Sequence, residues 1–202
     1  MDWSLLHDFN NFLAAHDAIE DPLVAYVRAA ELLFLALLAG LFLVPRGAVR
    51  ATLRRGAVAA GASAGLALAI GQVISRIVDR PRPFVDEPHG VHLFVAHAPD
   101  PGFPSDHATA AFAIAVALLL CHRRWGIVAL VMAVVVAAGR VGMAVHFPSD
   151  VLAGAALGSA TALGLASPFT RRLLDAIADR AGAIWDDVLA WTGARLGATA
   201  RR

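Results

Sequence analysis

Phe103-Pro104-Ser105-Asp106-His107-Ala108-Thr109-Ala110 places a proline, a hydroxyl, a carboxylate and an imidazole at the mouth of an apolar run that continues to about residue 122. Pro104 and Ser105 read as the entry of a helix. The first-turn N–H groups of such a helix have no partners within it and face outward at the positive end of the dipole, as a phosphate site requires. Alone, the stretch fits a capped membrane helix as well as an anion site. Two other stretches, around Arg82 and around Arg140, shift that balance.

With 58% hydrophobic and 16% charged residues and a mean hydropathy of +0.65 over 202 residues, the chain is too apolar for a typical soluble domain and reads as an integral membrane protein. The net charge is only +1, and the basic residues form neither one large patch nor an aromatic-interleaved stripe, which argues against nucleic acid as a partner. Every basic residue other than histidine is arginine. Cys121 has no partner for an internal disulfide and reads as a lipid- or core-facing filler. The N-terminus lacks the basic region, apolar stretch and cleavage site of a secretory signal, so residues 1–202 are expected to form one integral membrane domain that inserts through its own spans.

Read outward from residue 103, the chain divides into apolar spans and polar breaks. Residues 1–22 carry Asp2, Asp8, Asp17, Glu20 and Asp21, with Leu5, Leu6, Phe9, Phe12 and Leu13 at helical spacing, and predict an amphipathic helix on the membrane surface. Spans are expected at about 23–44, 56–75, 105–122, 125–141 and 149–169. In the first, Arg28 and Glu31 stand three apart and are expected to pair. Residues 76–103, rich in proline, read as a loop. Residues 170–202 alternate apolar and charged positions and predict a second surface helix, with a sixth crossing as the alternative. The expected fold is therefore all-α: a polytopic membrane helix bundle of about five transmembrane helices with amphipathic terminal helices. Close helix contacts are expected at Gly61 with Gly65 and at Gly154 with Gly158.

Charge gives an independent test of this topology. The basic turns are Arg46 to Arg55, Arg123 with Arg124, and Arg171 with Arg172; five spans put all three on one face, which the positive-inside rule makes cytoplasmic. The polar end of the second span, the start of the third, the end of the fourth and the start of the fifth then share the outer face.

Those ends carry the chemistry. Arg76-Ile77-Val78-Asp79-Arg80-Pro81-Arg82-Pro83-Phe84 sets three arginines at a membrane boundary, where they need anions or water. Snorkelling to lipid headgroups accounts for Arg76 and Arg80 more readily than for Arg82, whose flanking prolines pre-aim a planar fork suited to phosphate. Gly139-Arg140-Val141-Gly142-Met143-Ala144-Val145-His146-Phe147-Pro148-Ser149-Asp150 brings Arg140 and His146 toward His107 if the helices are neighbours. Asp150, four residues after His146, is within reach of its ring; a carboxylate accepting one ring N–H leaves the other nitrogen free to attack phosphorus.

Arg82-Pro83, then Pro104-Ser105-Asp106-His107, then Arg140, His146 and Asp150 resemble, in order and spacing, the three-part signature of the type 2 phosphatidic acid phosphatase superfamily. The resemblance implies that Arg82, Ser105 and Arg140 hold the phosphate, that His107 is the acid to the leaving group, and that His146 is a nucleophile assisted by Asp150. It implies a phosphohistidine intermediate, with neither metal nor other cofactor. Three positions depart from the family pattern. Ser75 stands where lysine is usual, so Arg76 or Arg80 is expected to supply that phosphate contact; Asp106 replaces a glycine at the phosphate site; Gly139 replaces a serine. The Ser-Asp-His and Arg-Pro-Arg-Pro-Phe forms look most like the branch that dephosphorylates undecaprenyl pyrophosphate and is linked to bacitracin resistance.

The expected activity is hydrolysis of undecaprenyl pyrophosphate to undecaprenyl phosphate at the outer face of the bacterial plasma (inner) membrane, with a polyprenyl pyrophosphate and membrane lipids as the molecules bound. The rivals are a broader phosphatase acting on phosphatidate, diacylglycerol pyrophosphate or phosphatidylglycerophosphate, and a non-catalytic carrier of polyprenyl phosphates. A vanadate haloperoxidase is remote, because such relatives are mainly soluble. His89, His92, His97 and Asp100 match no firm metal-ligand spacing. No feature specifies an oligomeric state.

Overall fold

The computed structural model describes residues 2–44 and 47–199, with side chains to Thr192. Pro45 and Arg46 of the first basic turn and residues 200–202 of the C-terminal segment lie outside the described residues. The elements are α1 (Asp2–Ala14), α2 (Asp17–Leu43), a 3-10 turn (Gly47–Val49), α3 (Arg50–Val78), α4 (Pro83–Asp86), α5 (Asp106–Cys121), α6 (Arg123–Gly142), α7 (Pro148–Leu165) and α8 (Pro168–Thr199). No strand occurs among the described residues.

The chain is a membrane helix bundle, but its helices are unequal. Three stretches, Asp17–Leu43, Gly47–Asp86 and Arg123–Gly142, are long and apolar enough to cross a membrane; α7 and α8 meet that measure only as a pair, bent by 84°. With 16 residues α5 is about 24 Å long, short of a ~30 Å hydrocarbon core. It needs no greater length because it packs against α3, α6 and α7 and buries Ala108, Ala111, Ala113, Ala115 and Ala117 among them. Helices α2, α3, α5, α6 and α7 stand where the five spans are expected, and the central one is short and enclosed by protein.

Small residues set the closest approach. A Cβ on Gly154 would strike the Ser105 carbonyl, and one on Gly158 would strike the Thr109 carbonyl and the Ala113 nitrogen, so α7 lies directly on the backbone of α5. Gly61 and Gly65 make no such contact: nothing lies within 4 Å of a Cβ built on either, and Gly61 lines a cavity instead. Gly139, in the place of serine, leaves room for Val27 and Leu23 of α2.

The terminal helices divide. α1 stops at Ala14, and residues 17–22 belong to α2 with Pro22 inside it. Nor does α1 merely rest on lipid. Leu6 is buried with Ala144 and Phe147, and Phe9 and Leu13 close over Gly142. Buried Asn10 donates from Nδ2 to the carbonyls of His92 and Gly142, both at 2.8 Å, and accepts the His92 N–H at 2.8 Å. Leu6, Phe9 and Leu13 of the apolar stripe thus dock on protein, whereas Leu5 and Phe12 stay exposed.

At the opposite end of the bundle, α8 is fastened to α3. Buried Arg54 donates to both oxygens of Asp186 at 2.8 and 3.0 Å and to the carbonyls of Phe42 and Gly182; Arg55 donates to both oxygens of Asp179. The other side of α8 exposes Phe169, Leu173, Ile177, Ile184 and Val188, as a helix lying in an interface does. The basic turns thus gather at one end, and the ends bearing Arg82, His107, Arg140 and His146 gather at the other.

Candidate active site

The turn between α6 and α7 aims the central group. Ala144 takes a left-handed conformation (φ +56°), and the N–H groups of Val145 and His146 fold back onto the Arg140 carbonyl at 3.3 and 3.2 Å. A non-glycine residue in that region costs roughly 1–2 kcal/mol, offset here by burial of the Ala144 methyl beside Leu6 and Phe147. The result places the His146 ring, 2% exposed, at the polar end of a cavity of about 650 Å³.

His146 Nδ1 lies 2.8 Å from the Gly102 carbonyl, which can only accept, so the ring proton sits on Nδ1. Nε2 then presents a lone pair, held between Arg82 Nη1 at 2.9 Å and Arg140 Nη2 at 3.2 Å. The expected direct hydrogen bond from the His146 ring to Asp150 is absent: Oδ2 of the carboxylate stands 3.9 Å from Nδ1. As the third residue of a helix opened by Pro148, Asp150 turns back to accept the Phe147 N–H at 2.9 Å on Oδ2 and Arg80 Nη1 at 2.7 Å on Oδ1. Asp150 therefore braces the backbone beside His146, and a backbone carbonyl takes the tautomer-setting role.

Burial first, then the Arg140 and Arg82 guanidiniums, hold His146 well below the ordinary histidine value of 6.5. The folded ring stays neutral where the unfolded ring would take a proton. The stability this represents is full above about 6.5 and is lost as pH falls below that value toward the folded pKa. We expect the thermal midpoint in detergent to drop between pH 7.5 and 5.5 in the wild type and to drop less in His146→Gln; equal drops would deny the buried neutral imidazole. Asp100 acts in a more acidic window, because burial pushes it up but the Arg82 hydrogen bond outweighs this and holds it below 3.8.

The remaining predicted residues fall into three groups. Arg82 and Arg140, each 5% exposed, line the cavity with His107 and Asp106. Arg82 also donates to the carbonyls of Val145 and Asp100 and to Asp100 Oδ1, whereas Arg140 Nε is buried with no hydrogen-bond partner among the described residues. Asp106 accepts Gln72 Nε2 at 3.0 Å. Ser105, fully buried at the N-cap of α5, does not line the cavity; its Oγ is likewise unpartnered, and its N–H donates to the Asp150 carbonyl at 3.0 Å. Arg80 and Arg76 stand apart. Arg80 is engaged by Asp150, Ser149 and Asp2 and stacks on Phe147 at 4.2 Å, while Arg76 is exposed outside the cavity lining. Neither lines the cavity.

Several cavity residues escaped the sequence reading. His97 presents Nε2 to Arg140 Nη2 at 3.1 Å, and Asp100 meets Arg82, so these two join the arginine cup. Among the described residues, no group of three or more His, Cys, Asp or Glu is placed to hold a metal. Glu31 faces the cavity from α2, with Oε1 at 3.4 Å from His107 Nε2. Its expected partner Arg28 instead donates to the Phe94 carbonyl at 3.3 Å. The available signal was an acid in an otherwise apolar helix, which marks a functional position by default.

Below this polar end the same cavity continues between α2, α3 and α5 along Phe34, Leu35, Leu38, Leu68 and Ile114. The arrangement can hold an anionic group on two guanidiniums with an imidazole lone pair beside it, and an apolar chain beneath.

Comparison with known proteins agrees with this geometry. A family model described as the PAP2 superfamily matches residues 56–173. The chain is 36% identical over 99 residues to undecaprenyl-diphosphatase BcrC of Bacillus subtilis, covering 49% of this chain and 50% of that protein. It is 42% identical over 94 residues to the putative undecaprenyl-diphosphatase YbjG of Escherichia coli, covering 44% and 46%. The chain thus spans about half the length of these curated relatives. The crystal structure of Aquifex aeolicus LpxE superposes with a TM-score of 0.62 at 22% identity, over 80% of this chain and 92% of that one, a likeness of fold.

Proposed function

The chain belongs to the PAP2 superfamily, and we propose that it is a membrane lipid phosphatase that removes the terminal phosphate of undecaprenyl pyrophosphate through a phosphohistidine on His146. The observation that carries this reading is the His146 Nε2 lone pair, aimed between two guanidiniums at the head of an apolar cavity. In the first step Nε2 attacks the terminal phosphorus, the P–O bond to the lipid phosphate breaks, and His107 gives its proton to the departing oxygen. In the second, His107 takes a proton from water, whose oxygen displaces Nε2 and leaves as inorganic phosphate. The Gly102 carbonyl keeps Nδ1–H in place throughout and shares the positive charge that develops on the phosphorylated ring. Arg82 and Arg140 stabilise the equatorial oxygens, a task of fixed charge that the chain's own residues perform.

The apolar wall formed by Phe34, Leu35, Leu38, Leu68 and Ile114 suits an isoprenoid tail that stays at membrane depth while the headgroup rises to the cup. By the positive-inside rule the basic turns at the opposite end of the bundle are cytoplasmic, so the cup opens at the outer face of a bacterial inner membrane. The similarity to proteins named undecaprenyl-diphosphatase favours the pyrophosphate over phosphatidate or phosphatidylglycerophosphate.

The test is phosphate release by the detergent-purified protein from undecaprenyl pyrophosphate, phosphatidate and phosphatidylglycerophosphate side by side, with and without EDTA. We expect the pyrophosphate to be hydrolysed with the highest kcat/KM and EDTA to leave the rate unchanged. Preference for a monophosphate lipid would replace the substrate, loss with EDTA would end metal independence, and binding without release would make the protein a carrier.

A further inference from the structure

We propose that Glu31 is a positioning residue for His107: its carboxylate holds Nε2–H of the imidazole, so that Nδ1 is the nitrogen that delivers and later recovers the proton. The proposal rests on the phosphatase reading above. Its basis is a carboxylate in the apolar span of α2 whose one ion-pair contact among the described residues is a histidine. Glu31 sits about 18 Å along α2 from Leu43, within the span, where an ionised side chain is costly unless paired or wetted. Its Oε1 is 3.4 Å from His107 Nε2, and both residues line the cavity. Arg28, one turn away, is turned to the Phe94 carbonyl and does not neutralise it.

The surroundings of His107 make such a partner necessary. Arg140 faces it from α6, and Arg82, His97 and His146 from the loop and the α6–α7 turn, all cationic or able to become so. Asp106 adjoins it on α5 but is engaged by Gln72 of α3, and Asp100 is engaged by Arg82. Glu31 is the carboxylate left in contact with the ring. With Nε2–H on Glu31, a charged His107 offers Nδ1–H to the leaving oxygen; once that proton has gone, the neutral ring keeps Nε2–H and bares the Nδ1 lone pair, ready to take a proton from the attacking water. No proton needs to move to Glu31 in either half of the cycle.

The leaving group supplies a test that a merely structural role would not pass. An alcohol must be protonated as it departs, whereas a phenolate departs readily without help. We measure wild type, Glu31→Gln, Glu31→Asp and His107→Ala on phosphatidate and on p-nitrophenyl phosphate, together with kcat/KM against pH. Glu31→Gln should lower kcat on phosphatidate about 10- to 100-fold, should change the p-nitrophenyl rate less than about threefold, and should shift the alkaline limb about one unit to lower pH, because a carboxylate no longer favours the charged ring. Glu31→Asp should recover part of the loss. Equal loss on both substrates with an unmoved pH profile, or no loss on either, overturns the role of Glu31. A His107→Ala variant that shows no leaving-group dependence, or a wild type that releases no phosphate from these two substrates or from undecaprenyl pyrophosphate, instead sinks the underlying phosphatase mechanism.

Discussion

His146→Ala is expected to lower phosphate release from the lipid substrate on the order of 10⁴-fold or more while the protein still folds and still binds phosphate. The expected size follows from the role: removing a covalent nucleophile removes the whole pathway, and what persists is the residual effect of positioning and charge. Folding should survive because the ring's one bond to the backbone is Nδ1–H to the Gly102 carbonyl, and that carbonyl sits on a loop also tied down through Arg82. Rate loss far out of proportion to any fall in the thermal midpoint, with cooperative unfolding retained, is the expected outcome. Retained turnover would remove His146 from the chemistry.

Arg140→Ala comes second in expected effect, at about 10²–10³-fold in kcat, comparable to deleting one donor from a site that stabilises developing charge. The informative contrast is with Arg82→Ala. Among the described residues Arg140 hydrogen-bonds the ring nitrogens of His97 and His146 and leaves its buried Nε without a partner, so it donates to no backbone carbonyl there. Arg82 is spent largely on structure, donating to the carbonyls of Val145, Asp100 and Pro101 and to the Asp100 carboxylate. We therefore expect Arg140→Ala to reduce kcat with little change in thermal midpoint, and Arg82→Ala to reduce kcat and also lower the midpoint by about 5 °C. The checks are steady-state phosphate release and thermal unfolding of both variants in the same detergent; equal midpoints for the two would contradict this division of labour.

Much of this architecture is legible in residue types alone. Hydropathy and the grouping of arginines locate the helices and assign their ends, because both reflect the cost of polar groups in hydrocarbon. Arg82, Arg140, His107 and His146 stand out because charge and imidazole at a membrane boundary need a reason. The parts that were not legible depend on contacts no residue type announces. The Gly102 carbonyl sets the His146 tautomer, yet any residue at that position would offer the same oxygen. Glu31 looks satisfied by Arg28 at helical spacing, and only the packing of α2 near the mouth of α5 turns it to His107. Arg80 and Arg82 are indistinguishable in an Arg-Pro-Arg-Pro string, but one turns to Asp2 and Asp150 and the other to the cavity. The stripe on α1 has the pattern of a membrane-surface helix because protein and lipid reward the same apolar face; buried Asn10, with its three backbone contacts, is the residue that distinguishes them.

The most direct measurement is rapid quenching of the purified protein with undecaprenyl pyrophosphate labelled on its terminal phosphate, followed by mapping of the labelled residue. Label should appear on the protein within one turnover, resist alkali, be released by acid, and map to His146; it should vanish in His146→Ala. Turnover with no label on the protein, or label on a residue other than His146, would contradict the covalent histidine mechanism.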